Sequence, residues 1–402
     1  MMNDNGKKIG IKDIALKAGV SIGTVDRVLH MRGDVSAATQ SRVMAIVEEY
    51  GYTPNVIART LSSKKQLQIG IVIPDSSDRN PYWEMPIQGI SKAAGELSRF
   101  NTGIIEAYFD ASDEASFREA FDKVFTQNPD GMVMNPVFGH NSLDQIRQLD
   151  EAGIPYVSIE VNVEGIDKLG HFGQDAFQSG RVAASLLAAG MPGLSKRWKQ
   201  AEMVAEAKLA GQKKLSGRKT VQGQTEEPEQ VKFPGLPEVL IVKQTSKKVF
   251  SKHIEARING FLSYFSEKTH PSAQQMIRPV VVEIDLSLPG EPETSLEKTL
   301  AQHPGISAVF VPNSRAFLFA DFIEKRNLEN YFVVGYDIID RNIAHLEKGT
   351  ISFLIGQRPH VQAYNAIMAL AEHLLSGKEI PAVNYSQIDI INKENITYYK
   401  NN

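Results

Sequence analysis

IKDIALKAGVSIGTVDRVLHMRGDVSAATQSRVMAIVEEYGYTPNVIARTLSS, residues 11–63, carries three short helical periods in succession. Ile11, Ile14, Ala15 and Ala18 recur at i, i+3, i+4 and i+7, the apolar stripe of an amphipathic helix, and Gly19 stops it. Ser21 is placed to cap a second helix in which Val25, Val28 and Leu29 share a face while Ile22, Gly23, Asp26 and Arg27 lie largely elsewhere. Ser36 opens a third helix through Val43, Ile46, Val47 and Tyr50, closed by Gly51. Two short helices about a glycine-containing turn form a helix-turn-helix. The second helix of such a unit enters the major groove, which makes Ile22, Gly23 and Arg27 candidate readers of base edges. Ser21, Thr24 and Asn55 are better placed for phosphates. A helical dimerisation module has the same pattern.

Charge supports a polyanionic partner for this segment only. The chain carries a net charge of -3, yet residues 1–65 hold 10 Lys and Arg against 6 Asp and Glu. At 402 residues the chain is too long for one ordinary core, and a hydrophobic share of 42% suffices for two or three domains. Zero cysteines exclude disulfides, thiolate metal sites and cysteine nucleophiles. A polar N-terminus and the lack of a long uncharged apolar run predict a cytoplasmic protein with no membrane partner.

From Leu67 short apolar strands alternate with amphipathic helices: LQIGIVIP, PIQGISKAAGEL, TGIIEAYF, SFREAFDKVFTQ, DGMVMNPV, LDQIRQLDEAG and PYVSIEV, then VLIVKQT, VVVEID, AVFVPN, YFVVGYD and TISFLIG. This alternation predicts an α/β fold with two doubly wound parallel sheets behind the all-α N-terminal unit. Ligands of such sheets sit beyond the carboxyl ends of strands. The polar and aromatic residues placed there are Asn80, Tyr82 and Trp83 after the first strand, then Asp175, Arg257, Asn313, Asp337 and Gln357. Each also has a structural reading: Asp175 as a helix cap, Asn313 as a turn residue, Asp337 as a loop acid, Arg257 as half of a surface pair, and the two aromatics as packing.

The order of residues in 11–63 resembles the headpiece of the LacI/GalR repressor family along its whole length. DIA in the first helix, AGVS at the turn, TV and RV in the second, then GYTPN and AxxL carry the likeness. Asp26 stands where that family usually has Ser, and Gly10 where it often has Thr. The resemblance implies that NVIARTLSS is a hinge helix, with Leu61 wedging into the minor groove and Ala58 permitting close helix packing. Residues 66 to about 392 resemble the periplasmic sugar-binding-protein fold, and NPYW, ARxxGF, FVPN, VGYD and QxP match places where that fold contacts sugar. The resemblance adds Glu160 to the ligand set and supports Asn80, Tyr82, Trp83, Asp175, Arg257, Asn313, Asp337 and Gln357. Val161 replaces a common Arg after this acid, and Ser314 a common Asp after Asn313, so the sugar expected is an unusual one or not a simple aldose.

The organisation expected is a headpiece over 1–53, a hinge over 54–65, a first lobe over 66–174 completed by about 358–386, and a second lobe over 175–357 completed by about 387–402. Residues 192–237, rich in Lys, Gln and Glu, read as an insertion into the second lobe. No phosphate loop, zinc helix or nucleophile elbow occurs, and the 9 His lack ligand spacing, so no enzyme, metal or cofactor is expected. The partners implied are a near-palindromic duplex operator, a small sugar and a second copy of the chain, paired through helices near Pro86 to Leu97. Ligand binding should close the lobes and shift the hinge segments, with reciprocal coupling of about 1 to 3 kcal/mol. A transport-type binding protein is the competing class, since the two lobes alone would suit one.

Overall fold

The structure, a computed structural model, describes residues 11–29, 35–49, 66–77, 81–163, 165, 168–191, 237–245, 252–267, 277–286 and 290–400. Asn55, Ala58, Leu61, Asn80 and the expected insertion, save for Pro237 at its margin, lie outside the described residues.

Three helices form the N-terminal unit: α1 (Ile11–Ala18), α2 (Ile22–Leu29) and α3 (Ala37–Glu49). Ile14, Ala15, Ala18, Val25, Val28 and Val43 form its small core. Gly19, at φ +64°, takes the left-handed turn that ends α1, and Val20 N–H returns to the Ala15 carbonyl at 3.0 Å. Ser21 caps α2 by accepting from Thr24 N–H at 3.1 Å, and Ser36 caps α3 by accepting from Thr39 N–H at 3.3 Å.

Two six-stranded sheets follow. The first is built from β1 (Leu67–Pro74), β2 (Thr102–Phe109), β3 (Gly131–Met134), β4 (Tyr156–Ile159), β5 (Gly170–Gly173) and β11 (Val383–Tyr385), in the order β11-β5-β4-β3-β1-β2, all parallel. The second contains β6 (Glu238–Thr245), β7 (Arg278–Asp285), β8 (Ala308–Phe310), β9 (Phe332–Tyr336), β10 (Phe353–Gly356) and β12 (Asp389–Ile391), in the order β12-β10-β9-β8-β6-β7. The fold class expected from the sequence is present, with one departure. Edge strand β12 runs antiparallel to β10, pairing Leu354 with Ile391.

Side-chain alternation explains why the central strands read as unbroken apolar runs. On β1, Ile69, Ile71 and Ile73 enter the core under α4 (Glu84–Leu97) and α12 (Pro359–Ser376), while Val72 points to the opposite core, under α5 (Glu114–Phe125) and α6 (Leu143–Ala152). On β6, Leu240 and Val242 face α9 (Glu291–Gln302), α10 (Ala316–Lys325) and α11 (Asp340–Lys348), whereas Val239 and Ile241 face α7 (Ala176–Gly190) and α8 (Lys252–Glu267). A strand covered by helices on both faces needs apolar residues at every position.

The chain passes between the lobes three times: from β5 to α7, from β10 to α12, and from β11 to β12. Side-chain amides tie these crossings together. Gln174 Nε2 donates to the carbonyls of Gly356 (3.0 Å) and Gln387 (3.2 Å). Gln362 Nε2 donates to the Gln357 carbonyl (2.8 Å) and Ser386 Oγ (3.1 Å), and Ser386 Oγ donates to the Gln357 carbonyl (2.8 Å). Arg358, left-handed at φ +56°, makes a bidentate pair with Asp389 at 2.6 and 2.8 Å.

Candidate functional site

In each sheet the first strand has neighbours reached in opposite directions: β1 lies between β2 and β3, and β6 between β7 and β8. These are topological switch points, where loops diverge and leave a crevice beyond the strand ends. The residues following them are Tyr82 after β1, Asn135 after β3, Gln244 near the end of β6 and Asn313 after β8.

Five of the sequence-predicted residues come together here. Tyr82 OH, buried in the first lobe, donates to Glu160 Oε1 just past β4. Across the cleft, Arg257 on α8 donates through Nη1 to the Pro312 carbonyl (2.9 Å) and through Nη2 to Gln357 Oε1. Gln357 Nε2 donates to both oxygens of Asp337, at 2.9 and 3.0 Å. The Arg257 guanidinium lies 4.1 Å from the centroid of the Tyr336 ring, and Tyr336 OH is 3.0 Å from Ser179 Oγ. Arg257 acts electrostatically on both Glu160 and Asp337, which places groups of the two lobes in one field.

Local backbone sets the two acids apart from ordinary strand residues. Glu160 (φ +63°) and Asp337 (φ +69°) both adopt the left-handed conformation immediately after β4 and β9. Such strain, about 1 to 3 kcal/mol per residue, collects at binding sites because it aims a side chain that a regular strand would turn away. Burial raises the pKa of both. Asp337 is pushed up to about 7, opposed by Arg257 and by its bonds to Gln357, and Glu160 is raised against the pull of the Tyr82 hydroxyl. Burial likewise pushes Tyr82 well above the usual phenol range, so it serves as a donor.

Helix contact fixes Arg257. Packed α7 and α8 touch through glycines: a Cβ on Gly180 would overlap the Arg257 carbonyl, and one on Gly260 that of Phe177. Only hydrogen at these positions lets α8 approach closely enough to carry the guanidinium over Tyr336.

Several buried polar atoms have no hydrogen-bond partner among the described residues: Asn135 Oδ1, Gln244 Oε1 and Asn313 Nδ2 around the strand ends, and Arg257 Nε on α8. Buried polar groups are ordinarily satisfied, and unsatisfied ones call for an explanation such as a bound polar molecule. Asn135 and Gln244 were not singled out in the sequence, although both sit in the apolar-strand-then-polar pattern that marked Asn313 and Asp337. Two other expected residues have structural roles. Asp175 caps α7 by accepting from Gln178 N–H at 2.8 Å, and Trp83 is buried in the first-lobe core, edge-on to Tyr82 at 5.4 Å.

On α2, Ile22 is 44% exposed and Gly23 and Arg27 are exposed, opposite the buried Val25 and Val28. Ser21 and Thr24 hydroxyls are 2.9 Å apart at the helix start, where N–H groups and hydroxyls meet phosphate in DNA readers. Among the described residues no helix is long and apolar enough to cross a membrane, and no three His, Cys, Asp or Glu converge as for a metal.

Residues 69–379 match the family described as periplasmic binding protein domain, and residues 10–55 match bacterial regulatory proteins of the lacI family. The HTH-type transcriptional regulator DegA of Bacillus subtilis is 33% identical over 153 residues, 38% of this chain and 44% of that protein. Catabolite control protein A of Streptococcus mutans is 31% identical over 150 residues, 37% of this chain and 42% of that protein. The chain thus spans less than half the length of these curated relatives. A solved structure assigned as a LacI transcriptional regulator from Bacteroides fragilis superposes with a TM-score of 0.67 at 26% identity, covering 83% of this chain and 100% of that one. A carbohydrate transporter solute binding protein from Agrobacterium radiobacter, in complex with D-arabinose, shares the fold at a TM-score of 0.62 and 19% identity, covering 84% and 98%. By these matches the chain belongs to the periplasmic binding protein domain family, and its residues 10–55 are similar to the lacI family of bacterial regulatory proteins.

Proposed function

We propose that the protein is a cytoplasmic, sequence-specific transcriptional regulator, a repressor of carbohydrate-metabolism genes, controlled by a small sugar or sugar derivative held between its lobes. One observation carries the reading: a single chain joins a lacI-type helix-turn-helix, with Ile22 and Arg27 exposed on its second helix, to a two-lobed domain whose cleft gathers Tyr82, Glu160, Arg257, Asp337 and Gln357. A transport-type binding protein has no use for the first part. The relatives named as regulators support the same choice over an enzyme.

The working unit is a homodimer on a near-palindromic operator, since one recognition helix reads only a few base pairs. Asn80 extends the ligand set, and Asn55, Ala58 and Leu61 extend the DNA set, with Leu61 as the minor-groove wedge. Lobe closure moves the three crossings, and through them the segment leading to the headpiece.

The test is selection of operators from random duplex DNA, repeated with a panel of sugars. Enrichment of a near-palindrome whose binding shifts with one sugar supports the whole reading. Sugar binding with no duplex enriched assigns the protein to the transport-type class.

A further inference from the structure

Asn313 and Asp337 stand on loops that begin where neighbouring strands part. β8 stays hydrogen-bonded to β9 as far as the Val311 N–H, 2.9 Å from the Val334 carbonyl. Beyond it one chain runs through Asn313 and Ser314 into α10, and the other turns at Asp337, left-handed at φ +69°. A backbone in that conformation persists only where its surroundings over-determine it. Gln357 holds the carboxyl of Asp337, but the buried carbonyls of this turn need partners of their own.

Asn342, on the first turn of α11 and wholly buried, supplies them. Its Nδ2 donates to the carbonyls of Ser314 (2.8 Å), Tyr336 (2.8 Å) and Asp337 (3.0 Å), and its Oδ1 accepts from the Phe317 N–H at 2.9 Å. These partners come from both loops, and with an N–H on one side and only carbonyls on the other the amide has a single orientation. One turn further on, His345 lies between Asp321 Oδ1 (2.8 Å) and Glu324 Oε1 (2.9 Å) of α10, which fastens the helix carrying Asn342 to the helix that begins beside Phe317.

Resting on the regulatory reading above, we infer that Asn342 is the positioning residue of the second-lobe half of the effector site, clamping the loops of Asn313 and Asp337 into one arrangement. Being fully buried, it acts through those loops and not by contact with the ligand. Asparagine is the shortest side chain that offers an acceptor and two donors at once. Aspartate would turn an oxygen without hydrogen on the carbonyls, and leucine would leave every one of these groups unpaired.

Hydrogen exchange and calorimetry on the full chain test this, with Asn342→Ala set beside Leu346→Ala. Leu346 is equally buried on the same helix, but in the hydrophobic core of the second lobe. Exchange is followed without ligand over residues 313–318 and 336–338, relative to strand β6 of the same sample. In Asn342→Ala both loops are expected to exchange about tenfold or more faster on that scale, whereas in Leu346→Ala loops and strand should change together. Asn342→Ser, which keeps one donor, should show the same effect reduced, and stands in if the alanine variant does not fold. Calorimetry uses D-arabinose, D-allose, D-galactose, D-tagatose and myo-inositol. Affinity for whichever of these binds the parent should fall about tenfold or more in Asn342→Ala and stay within about threefold in Leu346→Ala. Unchanged loop exchange in the Asn342 variants, or equal loss of affinity in Asn342→Ala and Leu346→Ala, overturns the inference. If none of these compounds binds the parent, the exchange result alone decides it. Operator selection is read separately: a chain that enriches no duplex loses the regulatory reading, while exchange and affinity still judge the role of Asn342.

Discussion

Gln357 holds both carboxyl oxygens of Asp337 with its side chain, while its own backbone carbonyl accepts from Gln362 and Ser386 on the neighbouring crossing segments. One residue therefore belongs both to the group of polar side chains at the strand ends and to the crossings between the lobes. Asp337 and Arg257 are thus joined to the crossing at 357 through a single side chain.

This linkage separates two substitutions. Gln357→Leu removes the partners of Asp337 and of Arg257 Nη2 inside the protein, and losing bonds to buried charged groups costs about 1 to 3 kcal/mol. Ligand affinity should fall at least tenfold, and thermal unfolding should move down with it. Gln362→Leu removes only the ties to the Gln357 carbonyl and Ser386 Oγ. Ligand affinity should stay within about threefold, while the ligand's effect on operator binding, typically about 1 to 3 kcal/mol, should shrink. Equal loss of affinity in both variants would show that the crossings act only as scaffold.

Gly180→Ala is expected to act on the cleft from outside it. The added methyl meets backbone, the Arg257 carbonyl, which cannot swing away as a side chain would. Overpacking of this kind costs about 1 to 3 kcal/mol. Displacing α8 should also weaken ligand binding by lifting the guanidinium off Tyr336, whereas Gly95→Ala on α4, with open space around its Cβ, should raise stability by about 0.5 to 1 kcal/mol and leave affinity unchanged. Denaturant unfolding and calorimetry on the two variants make the comparison.

How much of this could be read from the sequence follows from what each residue must satisfy. Strands β1 and β6 announce themselves because both faces are covered, so their central runs IGIVI (69–73) and VLIV (239–242) contain no polar side chain. Strands β5, β11 and β12 do not, since GHFG, VNY and DII are too short for any period to show and lie at or near the other sheet edge. Tyr82, Arg257, Asp337 and Gln357 were legible as polar or aromatic residues around strand ends, and resemblance supplied Glu160. The crossings were not legible: Gln174, Gln362 and Ser386 are ordinary polar residues in sequence, and only the return of the chain through 386 gives them shared partners. Trp83, like its neighbour Tyr82, is packed in the first-lobe core, which meets the packing reading that the sequence also allowed for both aromatics.

Arg27, exposed on α2, is expected to contribute to operator recognition without touching the lobes. Arg27→Ala should cost about 1 to 3 kcal/mol of operator affinity if the side chain reads a base edge, with specificity relaxed at one position in each half-site. Uniform weakening across sequences, with a shallower salt dependence, would instead assign it to phosphate. Ligand affinity of the isolated protein should not change in either case. Parallel binding titrations on the selected operator and on single-base variants, at two salt concentrations, separate these outcomes.

Asp337 makes stability depend on pH in a direction unusual for a carboxylate. Its folded pKa, about 7, lies above its ordinary value of 3.8, so between those values the folded state binds more protons than the unfolded one. The stability tied to its protonated form is present below about pH 4 and is lost as pH rises through about 7. In Asp337→Asn the side chain stays neutral, and its oxygen still accepts from Gln357. The variant should match the parent near pH 4 and exceed it by a few kcal/mol near pH 8, the gap opening across that interval. Buried His171, depressed to about 4, works in the opposite sense: the stability tied to its neutral form is complete above about pH 6.5 and is lost as pH falls through 4. Comparing the two chains over pH 5 to 8 by chemical unfolding cancels the histidine contribution, which both share, and leaves that of Asp337. A constant difference across the range would mean that Asp337 is ionised in the folded protein throughout, held so by Arg257 and Gln357 in spite of its burial.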